Sequence, residues 1–245
     1  MFLGLKGQPM TDQSNTNTDS AIRYLLMARL RLNIEPLRPL PLAAHVRGAL
    51  AHMFPELDLL HQHGEHGLIY RSPRVIYSVD NDGPLIIAVE EGAEELMKVR
   101  LLSRAVRMGN TDRTIIDTTL KVSQVTLGQG SEPIQYRFRR PWLALNQENH
   151  RRYESMPATD RIEFLNRQLC NNCLALAKSF GVRIAERLSA QSSLREVTTK
   201  HKGMPMLGFV GEFTINFHIP QSMGLGKSVS KGFGSLEPVQ PCSTS

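Results

Sequence analysis

The sequence predicts an α+β protein made of two successive βαββαβ units, and three observations predict it. In the first half of the chain, strand-like and helix-like periodicities follow in the order strand, helix, hairpin, helix, strand. Asp80-Asn81-Asp82-Gly83 separates two apolar runs, a composition that strongly favours a hairpin turn. The second half carries one long helical stripe with extended segments before and after it. This order is the ferredoxin-like arrangement, clear in the first half and fainter in the second.

Each element has its own signal. Residues 1–19, rich in Thr, Asn, Gln and Ser, cannot bury enough apolar surface to offset chain entropy, and a disordered tail is expected there. Residues 22–32 read as a strand. After a turn rich in proline (Pro36, Pro39, Pro41), Leu42, Val46, Leu50 and Met53 fall at spacings of four, four and three, one apolar stripe on a helix that stops before Pro55. Residues 74–79 and 85–89 are the hairpin strands. Residues 91–104, with Ala93, Leu96 and Leu101 in a charged setting, predict a second helix, and residues 114–126 an extended strand.

In the second half, residues 134–138 predict a strand, and Ile162, Leu165, Leu169, Cys173, Leu176 and Phe180 form a helical stripe ending at Gly181. Strands are expected at residues 182–188 and 207–219. No residue-level repeat links the halves, so the duplication rests on element order alone. The expected division is a tail at 1–19, an N-terminal domain at 20–127 and a C-terminal domain at 128–245.

Composition narrows the function. With 41% hydrophobic and 21% charged residues, the chain falls in the globular range, which excludes collagen-like, coiled-coil and wholly disordered readings. Its 245 residues suffice for one large domain or two of roughly 100 residues. A net charge of +6 and a pI near 9.4 favour a polyanionic partner. Three cysteines, Cys170, Cys173 and Cys242, suit a reducing compartment rather than a disulfide framework, so the cytoplasm is expected. No run of about 18 apolar residues occurs, and neither export nor a membrane partner is expected.

The most distinctive stretch is Gly224-Leu225-Gly226-Lys227-Ser228-Val229-Ser230-Lys231-Gly232-Phe233-Gly234. Gly224, Gly226, Gly232 and Gly234 remove side chains where backbone N–H groups could approach a phosphate. Lys227 and Lys231 add charge, and Ser228 and Ser230 add hydroxyl donors. A P-loop would need glycine at Gln221 and a dinucleotide fingerprint would need it at Val229, so neither motif is present. The alternative is a glycine-rich surface turn with solvated lysines.

This loop, with the preceding Asn216-Phe217-His218-Ile219-Pro220, resembles the C-terminal glycine-rich signature of the repeat-associated (RAMP) proteins that process CRISPR RNA. Three further segments resemble one subgroup of those endoribonucleases, marked by a His-x-His motif in its N-terminal domain. They are Leu60-His61-Gln62-His63 with Ile69-Tyr70-Arg71-Ser72-Pro73, then residues 84–96, then Trp142-Leu143-Ala144-Leu145-Asn146-Gln147-Glu148-Asn149. The resemblance spans most of residues 21–238. It implies two tandem ferredoxin-like domains, the first catalytic and the second RNA-binding, and CRISPR repeat RNA as partner. It also admits other CRISPR effector-complex subunits, or a second copy of the chain, as partners.

His61, His63 and His66 lie within six residues. Imidazole, with an unperturbed pKa of about 6.5, can serve as acid or base near neutrality. RNA offers a reaction that needs both roles, because its 2'-hydroxyl attacks the adjacent phosphorus when one group removes its proton and another protonates the departing 5'-oxygen. The resemblance implies that His61 and His63 do this work with Tyr70, and that no cofactor or metal is required. It also implies a lysine at Met53, so the cationic stabiliser is either missing or supplied from elsewhere, by Lys227, Lys231 or Arg71. His45 is the reserve candidate. A zinc site drawn from the His-x-His motif, His66, Cys170 and Cys173 is the competing reading, and an RNA-binding subunit without turnover is another.

Arg137, Arg139 and Arg140 alternate with Phe138 ahead of Trp142. Guanidinium groups can grip phosphate while aromatic faces stack on bases, which makes this segment an RNA-binding candidate alongside Arg71 and the loop. A strand with a solvated basic face and a buried tryptophan reads equally well from the same residues.

Overall fold

The computed structural model describes residues 21–57, 72–99, 104–201 and 203–239. The expected tail at 1–19 lies outside them. The first half runs β1 (Ile22–Glu35), α1 (Ala43–Met53), β2 (Val75–Asp80), β3 (Gly83–Val89), α2 (Glu91–Leu96), β4 (Arg104–Met108) and β5 (Thr111–Phe138). Then follow α3 (Gln147–Ser155), α4 (Ala158–Ser179), β6 (Ala190–His201), β7 (Met204–His218), a 3-10 turn (Val229–Lys231) and β8 (Leu236–Pro238).

All strands join one antiparallel sheet of order β2-β3-β1-β5-β7-β6, with β4 and β8 also paired to β5. Two ferredoxin-like units are visible in this order. In the first, β5-β1-β3-β2 is the sheet and α1 and α2 are its crossovers. In the second, the end of β5 acts as the first strand, α4 as the first crossover, and the sheet order is β8-β5-β7-β6. The glycine segment therefore stands where the first unit has its second helix.

The two units share a strand. β5 pairs with β1 through residues 114–128 and with β7 through residues 128–137, over a single run of 28 residues. The expected strands at 114–126 and 134–138 are parts of this one element. At the joint, Gly128 has φ 142, and a Cβ there would lie 2.1 Å from the Ala21 carbonyl oxygen. Only glycine fits so close an approach in that conformation.

Several other expectations change. Residues 182–188 form no strand; the ladder partner of β7 is β6, at 190–201. The 182–188 segment is held by a side chain instead, since Gln129 accepts from the Ala185 and Glu186 N–H groups and donates to the Glu186 carbonyl. The second helix is shorter than expected, ending at Leu96, and Arg104 opens the β4–β5 hairpin instead. α3 had no apolar stripe to announce it. Its start is fixed by Asn146, whose side chain accepts from the Asn149 N–H at 2.6 Å.

Strand alternation divides the interior in two. On β1, Ala28, Leu30, Leu32 and Ile34 face the core that α1 and α2 cover, while Leu25 and Met27 face the larger core built around α4, Trp142 and Phe209. Tyr77 and Ile86 join the first core and Ile76 and Ile87 the second. The second face does not stay apolar along its length. Arg29 and Arg31 continue the row of Leu25 and Met27, which is where a cleft opens.

Candidate nucleic-acid interface

The cleft has a volume of about 720 Å³ and runs between the open face of the first unit and the end of the second. Its floor is apolar, formed by Ile76, Leu85 and Ile87. Around them stand Arg29, Arg31, Lys121, Arg139 and Arg140, set against Asp80 and Glu237 as the acids among the described residues.

The register explains how these cations meet. Arg29 lies directly opposite Lys121 across β1 and β5, and Arg31 opposite Thr119. A like-charge pair facing across a ladder is destabilising, and it concentrates positive charge on this face. Each arginine is aimed by a fixed acceptor. Arg31 forks onto Asp80 and donates to the Gly83 carbonyl at 2.8 Å. Arg29 donates to the Gln221 carbonyl at 2.9 Å, Arg140 to the Val79 carbonyl, and Arg139 reaches Glu237 at 3.4 Å. The Arg29 and Arg140 bonds cross between the units in opposite directions, so the cleft is built by both.

Burial lowers the Arg29 pKa below its ordinary value, and its buried Nε has no hydrogen-bond partner among the described residues. A partly buried guanidinium that lines a cleft favours an anionic ligand there. For Asp80, burial pushes the carboxyl up, but the Arg31 fork, the Asp82 N–H and Arg140 together bring it below the usual carboxylate range. The acid therefore stays ionised and keeps Arg31 oriented.

The glycine loop adjoins this cleft. Gln221, Ser222, Ser235, Leu236 and Glu237 line it from either side of the loop. The loop itself is a tight turn that fills space between the units. Gly232 packs against β2, where an added Cβ would lie 2.9 Å from the Tyr77 carbonyl oxygen, and Gly226 packs against the Trp142 indole. Gly224, Gly232 and Gly234 are buried. The N–H groups of Leu225, Lys227, Lys231, Gly232 and Gly234 donate to carbonyls within the protein. Packing therefore accounts for the glycines in this fold, and the exposed part of the loop is Gly226 and Lys227, with Ser228, Ser230 and Lys231 half-buried.

The other predicted site residues divide. Arg139 and Arg140 line the cleft. Arg137 is outside it, forming an ion pair at 2.6 Å with Glu212, its cross-strand partner on β7. His61, His63, His66, Tyr70 and Arg71 lie outside the described residues. His45 accepts from the Leu42 N–H at 3.5 Å and packs beside Gly109 of the β4–β5 turn. Met53, where the resemblance implies lysine, is half-buried against the first core.

Cys170 and Cys173 behave as packing groups. Cys173 is fully buried on the inner face of α4, and burial pushes its thiol well above the ordinary range; the Cys170 thiol meets the Leu188 carbonyl. Among the described residues no group of three metal-ligating side chains converges, and no helix is long and apolar enough to cross a membrane.

Sequence reasoning missed Arg29, Arg31 and Lys121. The signal was present, since charges two apart in a strand share a face, but only the register reveals what they face.

Comparison with known proteins agrees with the fold. Residues 25–126 match the model of the Cas6b N-terminal domain, and residues 128–239 that of the Cas6b C-terminal domain. An uncharacterized protein of Methanocaldococcus jannaschii is 35% identical over 123 residues, covering 50% of this chain and 84% of its own length. A crystal structure of Cas6b superposes with a TM-score of 0.79 at 31% identity, over 89% of this chain and 100% of that one. The structure of a CRISPR RNA processing endoribonuclease Cas6b gives 0.69 at 30% identity with the same coverage. Two family domains in the right order over a shared strand, together with two Cas6b structures matched along their whole length, establish that the chain belongs to the Cas6b family.

Proposed function

We propose that the protein is an endoribonuclease that cleaves precursor CRISPR RNA within its repeats. The N-terminal unit supplies the acid–base chemistry and the cleft between the units holds the RNA strand. The observation that carries this is the row of Arg29, Arg31, Lys121, Arg139 and Arg140 over an apolar floor, with a like-charge pair kept opposed across the ladder. Phosphates offset the cations and unstacked bases cover the floor, the combination an unpaired strand presents.

His61 and His63 act as the proton-transfer pair, and Tyr70 orients the phosphate. One imidazole takes the 2'-hydroxyl proton as that oxygen bonds to phosphorus. The bond from phosphorus to the 5'-oxygen breaks, and the other imidazole protonates the leaving oxygen. The products are a 2',3'-cyclic phosphate and a 5'-hydroxyl, with no net proton change and no metal needed. Arg71 and the loop, through Lys227 and its neighbours, contact the backbone.

The test uses labelled repeat RNA with chelator present, beside the same RNA bearing one 2'-deoxy nucleotide at the scissile position. Cutting of only the unmodified strand supports the proposal. Tight binding of both without cutting would instead identify a subunit without turnover, the reading that Met53 at the implied lysine position favours.

A second result separates binding from folding. Replacing Lys121 with Thr removes the like-charge pair, so the melting temperature is expected to hold or rise slightly, by up to roughly 1 kcal/mol of stability. RNA affinity should fall, and the slope of log affinity against log salt should flatten by about 0.7, the value for one phosphate contact on a single strand. An unchanged salt slope would remove Lys121 from the interface.

A further inference from the structure

The β6–β7 hairpin ends beside the glycine loop, and one side chain at its tip touches that loop in two places. His201 Nε2 lies 3.2 Å from Ser228 Oγ, and the imidazole meets the Phe233 ring edge-on at 5.6 Å between centroids. Ser228 and Phe233 bracket the 3-10 turn Val229–Lys231. His201 is placed there by the ladder, where it pairs with Met204 across a turn containing Gly203. Nothing in the sequence gave His201 company, because Ser228 is 27 residues away.

We propose that His201 is a positioning residue for RNA binding: it fixes Ser228, and through it the exposed Lys227, in the geometry that receives the RNA backbone. This rests on the reading of the loop as an RNA contact. Ser228 has left-handed φ 57 and ψ 28, which a serine adopts only when its surroundings hold it. Its carbonyl accepts from the Lys231 N–H at 2.9 Å, and the preceding Lys227 N–H donates to the Leu143 carbonyl at 3.0 Å. Backbone contacts thus fix the turn on both sides, and His201 fixes the hydroxyl. In one tautomer the imidazole accepts the Ser228 proton and in the other it donates, so the contact persists in either.

Trp142, the single tryptophan, reports on this arrangement, since Gly226 lies against its indole. The experiment compares the full chain with His201→Ala, His201→Gln, Ser228→Ala, the double variant His201→Ala/Ser228→Ala, and Lys227→Ala. Binding is read with 2'-deoxy repeat RNA and cutting with unmodified RNA at saturating protein. His201→Ala is expected to weaken binding about tenfold, the loss of one well-placed charge-assisted contact, and to shift Trp142 emission. Its saturated cutting rate should stay within about twofold of the parent, because the proton-transfer pair is untouched. His201→Gln, whose amide nitrogen can still reach Ser228, should recover most of the affinity, and the double variant should bind no worse than His201→Ala alone.

If Lys227→Ala weakens binding and His201→Ala does not, the proposal is overturned while the loop keeps its role. If Lys227→Ala binds as the parent does, the loop is not an RNA contact and both ideas fall. Equal loss in His201→Ala and His201→Gln, or full additivity in the double variant, also overturns the pairing.

Discussion

His61→Ala and His63→Ala are each expected to slow repeat-RNA cutting by roughly 100- to 10,000-fold, the range for losing one positioned proton transfer. Affinity for the 2'-deoxy RNA should change little. The two effects should also be far from additive, because acid and base act in one concerted step and either loss stalls it. A pH profile adds a second check. The parent rate should rise and then fall across the range where imidazole titrates, since one ring must be neutral and the other protonated, and each variant should lose one limb. Parental rates in both variants would remove the histidine pair from the mechanism, leaving His45 as the next residue to test.

Gly234→Ala is expected to have the largest effect on stability. Gly234 has φ 63, and an added Cβ would lie 2.0 Å from the Leu225 carbonyl oxygen. Neither group can withdraw cheaply, because the Gly234 N–H donates to the Pro141 carbonyl while its own carbonyl accepts from Leu225. Left-handed strain of about 1–2 kcal/mol adds to an overpacking cost of about 1–3 kcal/mol. For a chain of this size the sum lowers the melting temperature by roughly 4 to 20 °C. RNA affinity should fall with it, because the residues displaced first are those beside the cleft. Gly203→Ala is the control, with φ 80 and, its chain neighbours aside, no atom of the described residues within 4 Å of the added carbon, so the strain dominates. A Gly234→Ala protein melting within about 2 °C of its parent would refute the close-packing account.

What was legible in the sequence was local. The Asp80 to Gly83 turn, the α1 stripe and the long α4 stripe each declare themselves over one or two turns of chain, and each is found within a few residues of its expected place. β6 was not legible. Its residues alternate between half-exposed and exposed, as an edge strand's do, so no apolar period marks it, while Val182 and Leu188 supplied an apolar signal to a segment that packs without joining a ladder. The candidate site divided in the same way. Arg139 and Arg140 were visible as a basic run and line the cleft. Arg137 looked identical to them until its cross-strand partner proved to be Glu212.

The sequence alone determined the α+β class, the order of the first unit, the basic character of the surface and the presence of a glycine-bearing turn, because periodicity, turn chemistry and net charge are properties of neighbouring residues. Tertiary structure decided that one 28-residue strand serves both units, that Arg29 faces Lys121 over an apolar floor, and that His201 meets Ser228. Those are matters of register and of contact between residues far apart in the chain. A strand's pattern tells which side chains share a face, but which strand lies beside it, and therefore what that face meets, is set only when the whole sheet closes on its cores.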